Sequence, residues 1–417
     1  MKNKLFKGSI SAIDVGTTKI CVLVAVQDHG SIEIVGMGSY PSYGLKKGVV
    51  VNISNTVESI RTAIKEAEAV SGIRVNSACV GISGGHISSF NSTGVVAIKG
   101  HEVTQWDIDR VIEAAKAVPI PKDQEILHIL PQYFRVDGQE NVLDSLGMYG
   151  VRLEAQVHIV TGAIASAQNI VKCCELAGIS VTDMVLEQLA SGDAVLTPFE
   201  REMGVGILDI GGGTSDFAVY KDRRIRYSKV LPIAGNHFTN DLAIGFGIPT
   251  KYAEDLKRRY GTVLLSKILE LEGHFIDVDL GYAGGIKKVE LNAVGEILRF
   301  RAHEILDIFL DEMVASRLSP MMPSGLVLTG GGCLLGGFRE LAQEKLDIPV
   351  RIGLPQSFDQ NSLGNIPDML KSPVYSTAYG LLVYTTGQRE KYEVSSSDES
   401  ALGRVFKKMR SWIYDLF

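Results

Sequence analysis

The chain has 417 residues, 45% hydrophobic and 22% charged, with a formal net charge of −6 at neutral pH. That length supports two to four domains with cores of their own. The mildly acidic balance lacks the basic surface of a nucleic-acid binder, and no apolar run approaches the roughly 20 residues a membrane span needs.

The start, MKNKLFKGSISAIDVG, turns polar too early for a signal peptide. It leads into IDVGTTKICVLV, Ile13 to Val24, which reads as strand, tight turn, strand, with glycine and hydroxyl residues at the tip. A strand pattern follows at Ile32 to Gly38. A helix is expected from about Thr56 to Val70, with Val57, Ile60, Ala63, Ile64 and Ala67 on one face. SACVGISG, Ser77 to Gly84, reads as a buried strand ending in glycines. From Gly85 to about Val157 the character changes, with two proline-flanked stretches and a strand-and-turn signal from His128 to Gly138; this predicts an inserted α/β subdomain. VHIVTG, Val157 to Gly162, is expected to return to the first core. The helix SAQNIVKCCELAG follows, ending at Gly178, a C-cap signal.

A second core begins near Gly204. LDIGGGTSDFAVY, Leu208 to Tyr220, repeats the opening hairpin about 195 residues later. Residues 231 to about 320 read as another insertion, with a long helical pattern from Glu296 to Met313. LVLTGGGCLLGGF, Leu326 to Phe338, predicts a buried strand, a triple glycine and a helix, and the core ends near Tyr384. Residues Gly387 to Ser400 are polar and serine-rich, a linker composition. Five cysteines (Cys21, Cys79, Cys173, Cys174, Cys333) form no CxxC pair and no metal spacing, so they read as buried thiols of a reducing compartment. His128 and His158 lie in apolar strand patterns and read as structural.

Glycine lets backbone approach an anion closely, and successive N–H groups in such turns form an anion-binding nest. Two facing copies can hold one polyphosphate like jaws, with Asp14 and Asp209 where a magnesium ion and its waters need carboxylate oxygens. A single DxG hairpin is common in ordinary sheets; two matched copies and a third glycine element, in this order and spacing, weigh against three unrelated turns. There is no GxxxxGK[ST] and no clean GxGxxG after a strand, so the P-loop and Rossmann readings fail.

The last residues, LGRVFKKMRSWIYDLF, form a separate device. On a helix at about 100° per residue, Leu402, Val405, Phe406, Met409, Trp412, Ile413, Leu416 and Phe417 share roughly 140° of arc. Lys407 and Lys408, with Arg404 and Arg410, fall on the other side. A cationic amphipathic helix of this kind lies in a membrane interface, and each basic residue adds about 1 kcal/mol near anionic lipid. The alternative is a terminal helix docked on the protein's own body.

The three glycine motifs resemble the two phosphate motifs and the adenosine motif of the actin-like ATPase superfamily. With the linker and the basic tail, the chain resembles the FtsA family of bacterial cell-division proteins over nearly its whole length. IVGMGSYPSYGLKKGVV (Ile34 to Val50), ILHILPQYFRVDG, VRLEAQVHIVTG and SPVYSTAYGLLVY (Ser372 to Tyr384) carry that likeness. Two departures stand out: Ser145 where the family often has proline, and a short stretch from Gly261 to Gly285. The resemblance implies an α/β, actin-like (ribonuclease H-like) two-lobed ATPase fold with an inserted subdomain and the C-terminal amphipathic helix. It divides the chain into a first core (1–84 and 158–202), the insertion (85–157), a second core (203–230 and 321–386), its small subdomain (231–320), a linker (387–401) and the membrane helix (402–417).

By the same resemblance, Asp14, Gly16, Thr17, Thr18 and Lys19 form the first ATP phosphate loop, and Asp209, Gly211, Gly212, Gly213 and Thr214 the second. Asp14 and Asp209 face Mg2+ through water. Lys19 is either a point charge on phosphate or a surface residue beside the turn. Glu187, in VLEQLASG, orients the attacking water or is simply a carboxylate at a helix start. Gly235, Asn236, Glu254, Lys257, Gly330, Gly331 and Gly332 line the adenosine pocket. For Glu254 and Lys257 an ion pair is the bland alternative, and Asn236 has the alternative of capping a helix.

The function implied is an ATP-binding protein that polymerises on the cytoplasmic face of the inner membrane at the division site. It would tether the FtsZ ring through FtsZ's C-terminal peptide and recruit downstream division proteins, with partners that include its own copies and anionic lipid but no nucleic acid. A non-polymerising pilus-assembly relative and a small-molecule kinase of the same superfamily are the alternatives. The rate of ATP hydrolysis is not legible in these residues.

Overall fold

The computed structural model describes residues 9–28, 31–280, 285–356 and 367–389. The membrane helix expected at Leu402 to Phe417, and all but the first residues of the linker, lie outside them. The chain opens with β1 (Ser9–Val15), β2 (Lys19–Asp28) and β3 (Ser31–Pro41), then a short hairpin of β4 (Leu45–Lys46) and β5 (Val49–Val50). Helix α1 (Ile53–Ser71) starts on an Asn52 side chain that accepts from the Asn55 amide at 3.0 Å and stops at Gly72, whose φ is 68°. Its predicted face is buried. It lies on β3 through Gly38, where a Cβ would stand 2.0 Å from the Ala63 carbonyl oxygen. β6 (Ser77–Ile82) completes this stretch.

The insertion follows as β7 (Ser88–Ala97), α2 (Gln105–Lys116), β8 (Gln124–Val136), β9 (Gln139–Val142) and β10 (Arg152–Ala163). The strands form one sheet in the order β7-β10-β8-β9, and α2 covers it over a separate core that includes Val111, Ile112, Phe134 and Leu153. Val157 to Gly162, expected to re-enter the first core, pairs along its length with β7 and β8 and completes this sheet instead. The reason is continuity: β10 runs unbroken through Gly162, which pairs with Glu125, to Ala163, so the ladder runs on. Only Val160 of that stretch belongs to the first-lobe core. The chain returns through α3 (Ile164–Leu176), closed by Gly178 at φ 94°, then β11 (Ser180–Leu186), α4 (Glu187–Val195) and α5 (Pro198–Met203).

The second lobe repeats the plan with β12 (Val205–Ile210), β13 (Ser215–Lys221) and β14 (Arg224–Leu231). A helical excursion follows: α6 (Gly235–Phe246), α7 (Thr250–Tyr260), α8 (Leu265–Glu270), the hairpin β15 (Phe275–Asp279) with β16 (Ile286–Glu290), and α9 (Leu291–Ala315). β17 (Leu326–Thr329), α10 (Phe338–Leu346), β18 (Val350–Ile352) and α11 (Ser376–Arg389) complete the described chain.

The two main sheets have one topology. In the first, β3-β2-β1 is an antiparallel meander and β6 and β11 add parallel beside β1; in the second, β14-β13-β12 is the meander and β17 and β18 add parallel beside β12. The excursions break the symmetry. The first lobe's insertion sits between its two added parallel strands, and the second lobe's excursion sits between its meander and its first added strand. The insertion also leans on the second lobe. The Gln132 amide donates to the carbonyls of Ile225 and Arg226, both at 3.1 Å, and the His158 ring lies between Asn91 Oδ1 (2.7 Å) and Ser228 Oγ (2.8 Å). Burial pulls the His158 pKa down to about 4, so the ring is neutral near pH 7, as a structural histidine requires.

Helices α4 and α11 join the lobes. One apolar core runs from the first sheet through Ala190, Ala194, Ala378 and Leu382 to Ile207, Ala218 and Val327 of the second. The helices cross with backbones in contact: a Cβ on Gly380 would stand 1.7 Å from the Ala190 carbonyl oxygen. Gly380→Ala is therefore expected to destabilise the protein by at least about 2 kcal/mol, because rigid backbone must move. A fall in urea midpoint at unchanged slope would show it; an unchanged midpoint would mean the crossing is not close-packed.

Candidate functional site

The repeated hairpins place their tips against each other. The first turn, Gly16 to Thr18, joins β1 to β2. The second, Gly211 to Thr214, joins β12 to β13 and is closed by a 2.9 Å bond from the Gly211 amide to the Thr214 carbonyl. A Cβ on Gly212 would lie 1.8 Å from Thr18 Oγ1, and one on Gly213 would lie 2.6 Å from Thr17 Oγ1. Glycine at both positions is what lets the lobes meet.

The hairpin register sets the chemistry beneath. Across β12 and β13, Asp209 stands directly opposite Asp216, so both carboxylates leave the same face of the sheet. In the first hairpin the equivalent pair is Asp14 and Cys21. Asp14, Asp209 and Asp216 are all buried. Ser83, just past β6 in the first lobe, donates to Asp216 Oδ1 at 2.5 Å and lies 3.3 Å from Thr214 Oγ1, bridging the lobes. Thr377, in the first turn of α11, donates to Asp209 Oδ2 at 3.0 Å. Lys19 Nζ is 3.6 Å from Asp14 Oδ2, donates to the Val374 carbonyl at 2.9 Å and lies 4.6 Å from the centre of the Tyr375 ring. It is thus held inside, between the first turn and the entry to α11, and is not a loose surface residue.

Glu187 is the first residue of α4 and overlies β6, where a Cβ on Gly81 would come 3.2 Å from its Cγ. Burial, then the charges of Asp14, Asp216 and Asp209, holds its pKa well above the usual carboxylate range. Burial pushes Asp209 up to about 6 and Asp216 up to about 7, in each case against a hydroxyl hydrogen bond and with a neighbouring aspartate adding to the rise. Burial also raises Asp14, against the nearby Lys19. Four acids share the Lys19 ammonium, so this place is short of positive charge.

The residues expected around adenosine line the second-lobe side. The Gly235 and Asn236 amides donate to the Gly211 and Gly212 carbonyls at 3.0 and 2.8 Å, so the start of α6 props the second turn. Asn236 is inside the helix, whose N-cap is Ala234, so it is not the cap. Its Oδ1 is 3.5 Å from Thr18 Oγ1 across the seam. Glu254 and Lys257 pair at 2.6 Å, and Lys257 also donates to the Gly235 carbonyl (3.2 Å) and Thr239 Oγ1 (2.9 Å). Gly330, at φ 79°, packs beside Asp209, where a Cβ would fall 2.3 Å from Oδ1; Gly332 lies against Ile210, and Gly331 opens a short 3-10 turn.

The sequence reading missed Asp216 and Ser83. The signal for Asp216 was present: a four-residue loop between Ile210 and Ser215 makes position 216 the cross-strand partner of 209. Ser83 gave none, because its partner is 133 positions away in the other lobe.

Two sheets of one topology, joined by crossing helices and closing over a glycine-turn cleft, define the actin-like two-lobed ATPase fold. Structures of similar fold include a type IV pilus PilM–PilN complex (TM-score 0.65, 15% identity, 90% of this chain and 98% of that one). MreB5 of Spiroplasma citri bound to ADP is another (TM-score 0.55, 14% identity, 93% and 99%). The family model for an SHS2 domain inserted in FtsA matches residues 84–161, and that for cell division protein FtsA matches residues 206–380. Cell division protein FtsA of Pseudomonas aeruginosa is 43% identical over 98% of each chain, and that of Escherichia coli K12 is 35% identical over 97% of each. The chain belongs to the FtsA family of actin-like cell-division proteins. The likeness to the pilus complex extends to the fold alone.

The raised acids carry a pH signature. Asp216 has a folded pKa above its unfolded value, so the folded state holds the extra proton, and stability falls as pH rises from about 4 towards 7. Asp216→Asn keeps an acceptor for Ser83 and removes the charge. It is expected to raise the melting temperature by several degrees at pH 8 and by little at pH 4, as calorimetry would show; a larger gain at pH 4 would contradict the assignment.

Proposed function

We propose that this protein binds ATP with magnesium between its two glycine turns, assembles into filaments on the cytoplasmic face of the inner membrane, and tethers the FtsZ ring there. The observation that carries the reading is the meeting of the turns over buried acids, in a member of a cell-division family. The related folds of MreB5 from Spiroplasma citri were solved with ADP and with AMPPNP, which supports a nucleotide in the corresponding cleft.

The amides and hydroxyls of Gly16, Thr17 and Thr18 grip the phosphates from one side and those of Gly211 to Thr214 from the other. Lys19 acts at one remove, through Asp14. The donor set fits magnesium. It consists of hard carboxylate oxygens, and among the described residues no three His, Cys, Asp or Glu side chains converge to hold a metal directly. That suits an ion which keeps most of its waters and meets Asp14 and Asp209 through them. Bound there, the ion supplies charge neutralisation at the phosphates. Glu187, poised at the start of α4 with a raised pKa, orients the attacking water. Lys257 fixes the Gly235 carbonyl and Glu254, setting the adenosine wall formed with Gly330, Gly331 and Gly332.

The tail supplies the membrane contact. Among the described residues no helix is long and apolar enough to cross a bilayer. The face carrying Leu402, Phe406, Met409, Trp412, Ile413 and Phe417, backed by Lys407 and Lys408, suits the interface. One such helix binds weakly, and many on one filament bind with avidity. The small subdomain around 231–320 receives the FtsZ C-terminal peptide, and the insertion meets neighbouring copies and later division proteins.

On anionic lipid monolayers with ATP and magnesium, the full chain is expected to form filaments visible by electron microscopy, and a truncation ending at Ser400 is expected to form none on the lipid. Co-sedimentation of that truncation with anionic liposomes at the level of the full chain would overturn the tail assignment.

A further inference from the structure

A third element reaches the seam between the turns. The tip of the β4–β5 hairpin, Lys47–Gly48, lies where the two glycine turns meet. The Gly48 amide donates to Thr17 Oγ1 at 3.0 Å, on the first turn. On the second turn, a Cβ at Gly213 would fall 2.9 Å from Lys47 Cα. The hairpin rests on the end of β6: a Cβ on Gly48 would be 2.7 Å from the Ser83 carbonyl oxygen and 2.9 Å from Gly84 Cα. Contacts on three sides hold Lys47 in the left-handed region, at φ 50°. A lysine is an unusual choice for such a position, which glycine or asparagine fills at less strain.

The charges around Lys47 leave it without an internal partner. Across the seam stands His237 on α6, whose basicity is lowered first by burial and then by the charges of Lys47 and of Arg301 on α9. The nearby acid, Asp241, is taken by Arg301 in a bidentate pair at 2.5 and 2.8 Å. Among the described residues no carboxylate pairs with the Lys47 ammonium. Beside the hairpin stands His86. Both of its ring nitrogens are buried without a hydrogen-bond partner, and burial favours the neutral ring. Its Nδ1 would be 2.6 Å, and the Lys47 carbonyl oxygen 3.4 Å, from a Cβ on Gly84, so the ring and the hairpin tip flank one glycine. The next residue, Gly85, abuts Pro232 of the second lobe. An unpaired ammonium and an imidazole with unmet hydrogen-bonding capacity thus share the rim of the cleft in which the turns meet.

We propose that Lys47, with His86 beside it, forms a third phosphate-binding element of the nucleotide site, holding the polyphosphate from the first-lobe rim while the two glycine turns hold it from either side. The proposal rests on the nucleotide reading above and adds residues to it. The ammonium serves as a point charge on phosphate oxygens, and the neutral ring donates its N–H to them. Because the hairpin belongs to the first lobe and touches the second-lobe turn, its contact depends on the polyphosphate and not on the base.

Isothermal titration of the full chain with ATP, ADP and adenosine in magnesium tests this. Lys47→Ala is expected to weaken ATP binding about tenfold, the loss of a charge-assisted hydrogen bond, and to leave adenosine binding unchanged. Lys47→Arg is expected to restore most of the loss, and His86→Ala to weaken ATP by a few-fold. Melting of the variants without nucleotide should match the parent, which separates lost contact from lost fold. Parental ATP affinity in a folded Lys47→Ala variant, or equal losses for ATP and adenosine, overturns the proposal while leaving the nucleotide reading intact. A parent chain that binds no nucleotide overturns both.

Discussion

The contact between two glycine turns governs this molecule. Gly212 meets Thr18, and Gly213 meets Thr17 and the hairpin that carries Lys47, at distances no side chain at either glycine would permit. The glycines therefore have two roles in one place. They let backbone amides approach an anion, and they let one lobe approach the other. Whatever enters between the turns must change how the lobes sit, because the same atoms form both the grip and the seam.

Everything beneath the turns is arranged to make that seam sensitive. Four acids, three buried and Glu187 half-buried, share little positive charge; their pKa values are raised first by burial and then, for Glu187, Asp209 and Asp216, by one another's charge. The cluster is tied to the skeleton at few points: Ser83 from the first lobe, Thr377 and the Val374 carbonyl from the entry to α11. Since α11 crosses α4 in backbone contact and its first turn bonds Asp209, the helix that links the lobes is also the helix that reads the second turn. A shift at the acids and a shift of the lobes are thereby coupled through named contacts.

Much of this was legible in the chain, for a physical reason. Both hairpins are local: the alternation around Asp14 and Asp209 and the glycine tips declare strand, turn and strand within a dozen residues, and α1 shows its buried face in the spacing of Val57, Ile60 and Ala63. What was not legible is what depends on distant partners. Ser83 has meaning only beside Asp216, and Lys19 only beside Val374 and Tyr375. Asn236 is of a type that suits a cap, yet the helix starts one residue earlier and its amide serves the second turn. The strand from Val157 to Gly162 reads as part of the first core but belongs to the inserted sheet, because an apolar strand names no neighbour and pairing with β7 and β8 decides it. The tail from Leu402 is read from its pattern alone.

The most direct test of the central claim is amide hydrogen exchange on the full chain, with and without ATP and magnesium. The account predicts that nucleotide slows exchange at both turns together, Gly16 to Lys19 and Gly211 to Ser215, with a smaller effect at the start of α11. Slowing at one turn only, or at neither while nucleotide is bound elsewhere, would contradict the claim that the two turns form one site.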